Sequence, residues 1–183
     1  MKKVVILGPE STGKSTLCAA LAQHYNTLWV QEYARAYLLR NGIQYTYNDL
    51  LHIAHGQLQL EDAAIQQLNL LKPAANTAHK HNILLIDTDM YVMKTWCEYV
   101  YGKCHNDILH QAALRTYNMY LLCNLDLPWV KDELREYPDS NTRNKLYLHY
   151  KDIVVHSGVP WAIVSGTGNH RLQCAIQAID ELM

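Results

Sequence analysis

The sequence predicts an α/β domain built on a parallel sheet of five short strands with helices between them. Three observations predict it. Wholly apolar runs such as Val4 to Leu7 and Ile83 to Ile86 are typical of strands buried on both faces. These runs alternate with segments of helical periodicity, the pattern of a parallel sheet with crossover helices. The first run also passes straight into Gly8-Pro9-Glu10-Ser11-Thr12-Gly13-Lys14-Ser15, which has the spacing Gly, four residues, Gly-Lys-Ser. In a strand–loop–helix context that spacing is a phosphate-binding loop, the P-loop.

The residue types of the loop follow from its chemistry. Glycines let the backbone curl and turn its N–H groups toward one point. A helix starting near Gly13 adds its positive end there. Lys14 would reach the β- and γ-phosphates, and the Ser15 hydroxyl would bind Mg²⁺. Gly8, Glu10, Ser11, Thr12, Gly13, Lys14, Ser15 and Thr16 are thus candidate nucleotide-binding residues, with ATP and Mg²⁺ as the expected cofactors.

The elements follow in order. Leu17, Ala20 and Leu21 recur at helical spacing, so a first helix runs to about His24. Thr27 to Val30 reads as a second strand, ending at Gln31-Glu32-Tyr33-Ala34-Arg35. A short helix then stops near Asn41-Gly42. Thr46 or Asn48 caps a long helix with Leu51, Ala54, Leu58, Ile65 and Leu68 on one face and glutamines on the other, and Pro73 ends or kinks it. Ile83 to Ile86 form the third strand, closed by Asp87-Thr88-Asp89. Helices run to Tyr101-Gly102 and from about Asn106 to Thr116, before a fourth strand at Tyr120 to Cys123. The segment from Val130 to Arg143 is the most polar in the chain and reads as a lid. A helix with Leu146, Tyr150 and Ile153 inward, a fifth strand at Trp161 to Val164, and a last helix with Leu172, Ile176 and Ile179 inward complete the chain. No repeat or linker divides it, so residues 1–183 are expected to form one domain.

Bulk composition narrows the function. A net charge of −1 argues against a nucleic-acid or anionic-membrane binder working by bulk electrostatics. No apolar run of about 18 residues exists to span a membrane. The five cysteines, Cys18, Cys97, Cys104, Cys123 and Cys174, include no C-x-x-C pair and mostly fall in apolar segments, the usage of buried free thiols in a reducing cytosol. A cytoplasmic protein is therefore expected. His52 with His55, and His79 with His81, lack a nearby partner cluster for a transition metal. Phe is absent while Tyr occurs 13 times, so much aromatic packing must satisfy a hydroxyl.

Two acids end predicted strands at the edge where open α/β sheets bind ligands. Asp87 is placed to serve a Mg²⁺ water shell or to cap the next helix, and both roles are compatible. Glu32 is placed to accept the proton of an attacking hydroxyl or to pair with Arg35 at the surface. Arg35 itself could hold the substrate or a phosphate oxygen. Asp89 either faces the substrate or favours a helix N-terminus electrostatically. The lid segment supplies Arg135 and Arg143 as mobile cations for phosphates; the alternative is a solvated face with pairs such as Glu133 and Arg135. Trp96, Tyr99 and Tyr101 either pack or stack on a flat aromatic substrate.

Taken together, GPESTGKSTL, QEYAR, LLIDTDM, TWCEYVYG and DLPWVKDELR, in this order, resemble the ribosylnicotinamide kinase family, as in the kinase domain of NadR-type proteins. The resemblance runs from the first strand to about Arg143, and weakly into the last loop, where Arg171 lies. It implies a P-loop NTPase fold of the nucleoside and nucleotide kinase kind, with sheet order 2-3-1-4-5 and a helical lid. It implies transfer of the ATP γ-phosphate to the 5′-hydroxyl of nicotinamide riboside, giving nicotinamide mononucleotide. By position, Lys14, Glu32, Asp87 and Arg135 would be catalytic. Arg143 and Arg171 would join the nucleotide site, while Glu32, Arg35, Gln57, Asp89 and Trp96 would meet the nucleoside. Ser15 and Asp87 would hold the metal. Two departures stand out. Family lids commonly read D-G-x-R where this chain has Asp132-Glu133-Leu134-Arg135, and Gln31 replaces an aromatic found before the EYxR motif in some members. A second activity of the kind carried by multifunctional members is not expected at this length.

Other P-loop uses fit less well. A guanine-reading Asn-Lys-x-Asp has no better match than Asn144-Lys145-Leu146-Tyr147, which lacks the acid. The remaining alternatives are a kinase for another nucleoside or nucleoside monophosphate, and a non-catalytic ATP sensor. A homo-oligomer is compatible with the sequence.

Overall fold

The computed structural model describes residues 1–70 and 83–182. Pro73, His79 and His81, singled out above, lie outside the described residues. The elements are β1 (Lys2–Leu7), α1 (Lys14–Tyr25), β2 (Trp29–Val30), α2 (Tyr33–Asn41), α3 (Tyr47–Leu70), β3 (Ile83–Asp87), α4 (Met90–Tyr101), α5 (Asn106–Leu114), β4 (Met119–Cys123), α6 (Ser140–His156), β5 (Trp161–Val164) and α7 (Gly168–Leu182).

The strands form one parallel sheet in the order β2-β3-β1-β4-β5, as the resemblance implies. Successive residues of a strand face opposite sides, and both sides here are covered. Val4 and Ile6 pack with Leu17, Leu21, Ile176 and Ile179 under α1 and α7. Val5 and Leu7 pack with Leu146, Tyr150 and Val154 of α6 on the other side. A third cluster, built from Leu38, Leu50, Ile53, Met93 and Ile108, joins α2 to α5 into a helical flank beside the sheet edge. There α2 meets α3 closely. A Cβ on Gly56 would lie 2.1 Å from the Tyr33 ring, so only glycine lets the start of α2 dock there.

Local signals place the helix ends. Gly42 follows α2 at φ 96°, and Gly102 follows α4 at φ 66°. Thr46 and Asp49 form a reciprocal cap at the start of α3: the Thr46 amide donates to Asp49 Oδ2 at 2.7 Å, and the Asp49 amide donates to Thr46 Oγ1 at 3.3 Å. The Thr46 and Tyr37 hydroxyls also donate to this carboxylate, and together these bonds depress its pKa to about 2. A depressed carboxylate contributes stability above its unfolded pKa and loses it as pH falls through the folded value. Asp49→Ala should therefore lower the Tm at pH 7 by ~2–4 °C, with the gap closing as pH falls toward 2. Thermal melts across that range check it; a gap independent of pH would refute it.

The tyrosine expectation holds in detail. Hydroxyls of Tyr25, Tyr37, Tyr45, Tyr117 and Tyr120 donate to Asp180, Asp49, Glu136, Glu61 and Asp89. The described cysteines are all free, with Cys18, Cys97 and Cys123 buried. No described helix is long and apolar enough to cross a membrane.

The segment expected to form a lid, residues 130–143, differs from expectation in form. Residues 130–139 carry no helix, and α6 begins only at Ser140, so the expected helical lid is helical over its last four residues alone. Side-chain bonds compete with helix formation here. Asp132 accepts from the Leu134 amide at 3.1 Å, closing a turn. Asp139 caps α6 by accepting from the Asn141 and Thr142 amides, which fixes where the helix starts.

Candidate active site

The parallel sheet brings the ends of β1, β3 and β2 to one edge in that order. Ile6 lies beside Asp87, and Val30 beside Ile86. The P-loop leaves β1, Asp87 is the last residue of β3, and Glu32 follows β2 by two residues. A cavity of about 250 Å³ opens over this edge. Gly8, Glu10, Lys14 and Ser15 of the P-loop line it together with Glu32, Arg35, Trp96, Tyr99, Arg135 and Tyr137. Ser11, Gly13 and Thr16 also reach it.

In the P-loop, Gly13 at φ 75° precedes the first residue of α1, so the amides of the helix start face the cavity end. Lys14 donates to the Pro9 carbonyl at 3.0 Å, which folds its ammonium across the loop. Ser15 donates to Asp87 Oδ2 at 2.5 Å, while Asp87 Oδ1 is buried with no hydrogen-bond partner. Burial raises the Asp87 pKa; Lys14 opposes the rise and Glu32 adds to it. An orphaned, buried carboxylate oxygen beside a hydroxyl, facing a phosphate-binding loop, fits a hard divalent cation such as Mg²⁺.

The Asp87-Thr88-Asp89 turn directs its two acids apart. Thr88 sits at φ 82°, an unfavourable value for a β-branched residue, and its buried hydroxyl has no partner. Asp87 points to Ser15. Asp89 instead caps α4, accepting from the Tyr91 and Val92 amides at 3.1 Å each, and also accepts from the Tyr120 hydroxyl at 3.3 Å. Complete burial holds its pKa up at about 7, against the pull of these bonds. Asp89 therefore occupies the helix-terminal position of its two readings, as the N-cap of α4.

Several other candidates stand away from the cavity. Gln57, expected to reach the substrate, is 2 % exposed with both ends engaged. Its Oε1 accepts from the Tyr33 amide at 2.8 Å, and its Nε2 donates to the Asp87 carbonyl at 3.2 Å. It thus ties the segment behind Glu32 to the end of β3. Thr12 turns its hydroxyl onto the Pro9 carbonyl, inside the loop. Arg171 is buried, donating to Asp126 and to the Gly166, Thr12 and Asn124 carbonyls, so it clamps three loops together. Arg143 is buried on the first turn of α6, with Nε and Nη2 unpartnered. Arg35, by contrast, lines the cavity and pairs with Asp132 rather than with Glu32, at 3.0 and 3.3 Å. That bond holds the Asp132 pKa down.

The aromatic wall is cross-linked. Trp96 donates its indole N–H to the Tyr45 hydroxyl at 2.9 Å, and that hydroxyl donates to Glu136 at 3.0 Å. Tyr101 donates to the Tyr45 carbonyl, behind the wall. Tyr137 and Tyr150 line the cavity without having been singled out as site residues. Tyr150 was legible only as an inward-facing residue of its helix, because the core and the cavity lie on the same side of α6.

Comparison with known proteins agrees with this fold. A family described as an AAA domain matches residues 3–171. The chain belongs to that family. It is also related to NadR, as the motifs suggested. It is 32 % identical over 151 residues to the trifunctional NAD biosynthesis/regulator protein NadR of Escherichia coli strain K12, covering 79 % of this chain and 33 % of that protein. NadR of Salmonella typhimurium is 32 % identical over 149 residues, covering 78 % of this chain and 33 % of that protein, so the chain spans about a third of these curated relatives. The fold matches a crystal structure of NadR in complex with NR at a TM-score of 0.71, with 20 % identity over 99 % of this chain and 51 % of that one. It also matches deoxyadenosine kinase from M. mycoides with bound dATP, at a TM-score of 0.61 and 10 % identity over 98 % of this chain and 100 % of that one. The fold is therefore the P-loop fold shared by NadR and nucleoside kinases.

Proposed function

We propose that the chain is an ATP-dependent kinase that phosphorylates the 5′-hydroxyl of nicotinamide riboside, working as one kinase unit in the cytoplasm, and that the alternative to test is another nucleoside acceptor. The observation that carries the reading is one cavity lined by the P-loop, by Glu32 just past the end of β2, and by the aromatic side chains of Trp96, Tyr99 and Tyr137. Such a cavity fits a triphosphate at one end and a flat nucleoside at the other. The relation to NadR, solved with NR, favours nicotinamide riboside among nucleosides.

The residues divide the work by position. P-loop amides and Lys14 hold the β- and γ-phosphates. Ser15 and Asp87 would hold Mg²⁺, which would offset the negative charge of the phosphates. Glu32 orients the acceptor hydroxyl and accepts its proton. Trp96 and Tyr99 flank the base, and Arg135 meets the phosphates from the lid.

A panel of nucleosides with ATP and Mg²⁺, read by mass, tests the proposal. A gain of one phosphate on nicotinamide riboside is expected. No phosphorylated product from any nucleoside, or from any nucleoside monophosphate added to the panel, would mean a sensor instead. Arg135→Ala should lower kcat about 10²-fold or more while ATP binding changes little, because a lid cation meets the phosphates fully only in the transition state. A change confined to KM would place Arg135 in ground-state binding.

A further inference from the structure

We infer that Glu10, although it lies in the P-loop, is a positioning residue for the lid rather than a ligand of the nucleotide. This inference rests on the kinase reading of the cavity. A carboxylate in a phosphate-binding loop is an electrostatic liability, since it faces a polyanion at close range. In this chain the charge is turned onto the lid. Glu10 Oε1 accepts from the Trp129 indole N–H at 2.9 Å and from the Tyr137 amide at 2.7 Å. Glu10 Oε2 accepts from the Glu136 amide at 2.9 Å. One carboxylate oxygen thus pins both ends of segment 129–137, and the other takes the amide next to Arg135.

Ser11 extends the attachment. Its hydroxyl accepts from the Val130 amide at 3.0 Å and donates to the Pro128 carbonyl at 3.3 Å. Within the segment, Arg135 donates to the Val130 carbonyl, so its guanidinium is folded back along the lid and lines the cavity. With both ends fixed on the P-loop, Arg135 can reach the phosphates by a side-chain movement alone. Charge-assisted bonds to three N–H groups are strong, and they order the lid before any substrate arrives. Ordering already done is not charged against the transition state. The missing glycine in Asp132-Glu133-Leu134-Arg135 is consistent with a segment that is held rather than hinged.

The test separates positioning from simple stabilisation. Glu10→Ala should lower kcat on the order of 10- to 100-fold with the ATP KM changed less than about 3-fold. Glu10→Gln, which keeps one acceptor oxygen, should recover most of the loss. Arg135→Ala should cost little further in the Glu10→Ala background, since the two act as one unit. Hydrogen exchange of the nucleoside-free protein should quicken in residues 129–137 of Glu10→Ala and not elsewhere. Unchanged exchange there would overturn the inference, whatever the acceptor proves to be. So would a full, additive Arg135→Ala effect, or an unchanged kcat, read on the accepted nucleoside or on slow ATP hydrolysis. Should Glu10→Ala fail to fold, Glu10→Gln and exchange at the Glu136 amide decide the matter alone. If no nucleoside is phosphorylated but exchange and hydrolysis respond as expected, the proposed acceptor fails and the role of Glu10 stands.

Discussion

Lys14→Ala is expected to lower phosphoryl transfer by about 10³, the scale at which single cationic stabilisers act in this chemistry. Among the described residues its ammonium hydrogen-bonds only to the Pro9 carbonyl, so the fold should survive its removal. Two losses combine. The charge developing on the transferred phosphoryl group loses a fixed partner in a partly enclosed site. Asp87 also loses the cation that holds its pKa down against burial. The sign follows: with Lys14 gone the Asp87 pKa rises further, and the acid limb of the pH–rate profile should move to higher pH. Rates measured from pH 5 to 9, with thermal melts as a control for folding, check both effects. Near-wild-type activity would remove the P-loop from the mechanism. A reduced rate with an unmoved acid limb would separate Lys14 from Asp87.

What was legible in the sequence was whatever leaves a local mark. Glycine spacing marked the P-loop, apolar runs marked the strands, and the position of Asp87 after Ile83 to Ile86 put an acid at a strand end. The capping pair Thr46 and Asp49 was half legible, because Thr46 stood in a cap position while the reciprocal bond needs the fold to close it. Gln57 shows the limit. Its neighbours in α3 read as an amphipathic face, and a glutamine there reads as solvent-facing or ligand-facing. Its actual task, joining the Tyr33 amide to the Asp87 carbonyl, exists only once β3 and α2 are side by side. Glu61 is a second case. Buried at 2 % exposure, it accepts from Lys3 and Tyr117 and pairs with Arg115, and all three partners are distant in sequence. The lid was misread in form for the same reason. Polar composition marked the segment, but its hold comes from Glu10 and Ser11, more than a hundred residues earlier.

Glu32→Gln is expected to lower phosphorylation of the nucleoside by ~10²–10⁴, the share usual for a general base, while Mg²⁺–ATP binding stays nearly unchanged. The substitution keeps size and hydrogen-bonding capacity and removes only the basic oxygen. Two carboxylates at neighbouring strand ends could in principle exchange tasks, and the structure gives them different surroundings. Asp87 ends the strand paired directly with β1, is fully buried, and already accepts from the Ser15 hydroxyl. Its free oxygen has no protein donor. Glu32 lies one strand further out, is partly exposed, and lines the cavity between the P-loop and the aromatic wall. On the kinase reading, Glu32 is therefore the acid placed to meet the acceptor hydroxyl, and Asp87 the one placed to meet the metal. Asp87→Asn should therefore raise the Mg²⁺ concentration needed for activity, because an amide cannot supply the anionic oxygen a hard cation prefers. Titration calorimetry with Mg²⁺–ATP separates the two roles. If Glu32→Gln lost Mg²⁺–ATP affinity while Asp87→Asn kept its normal Mg²⁺ dependence, the two acids would have to be assigned the other way round.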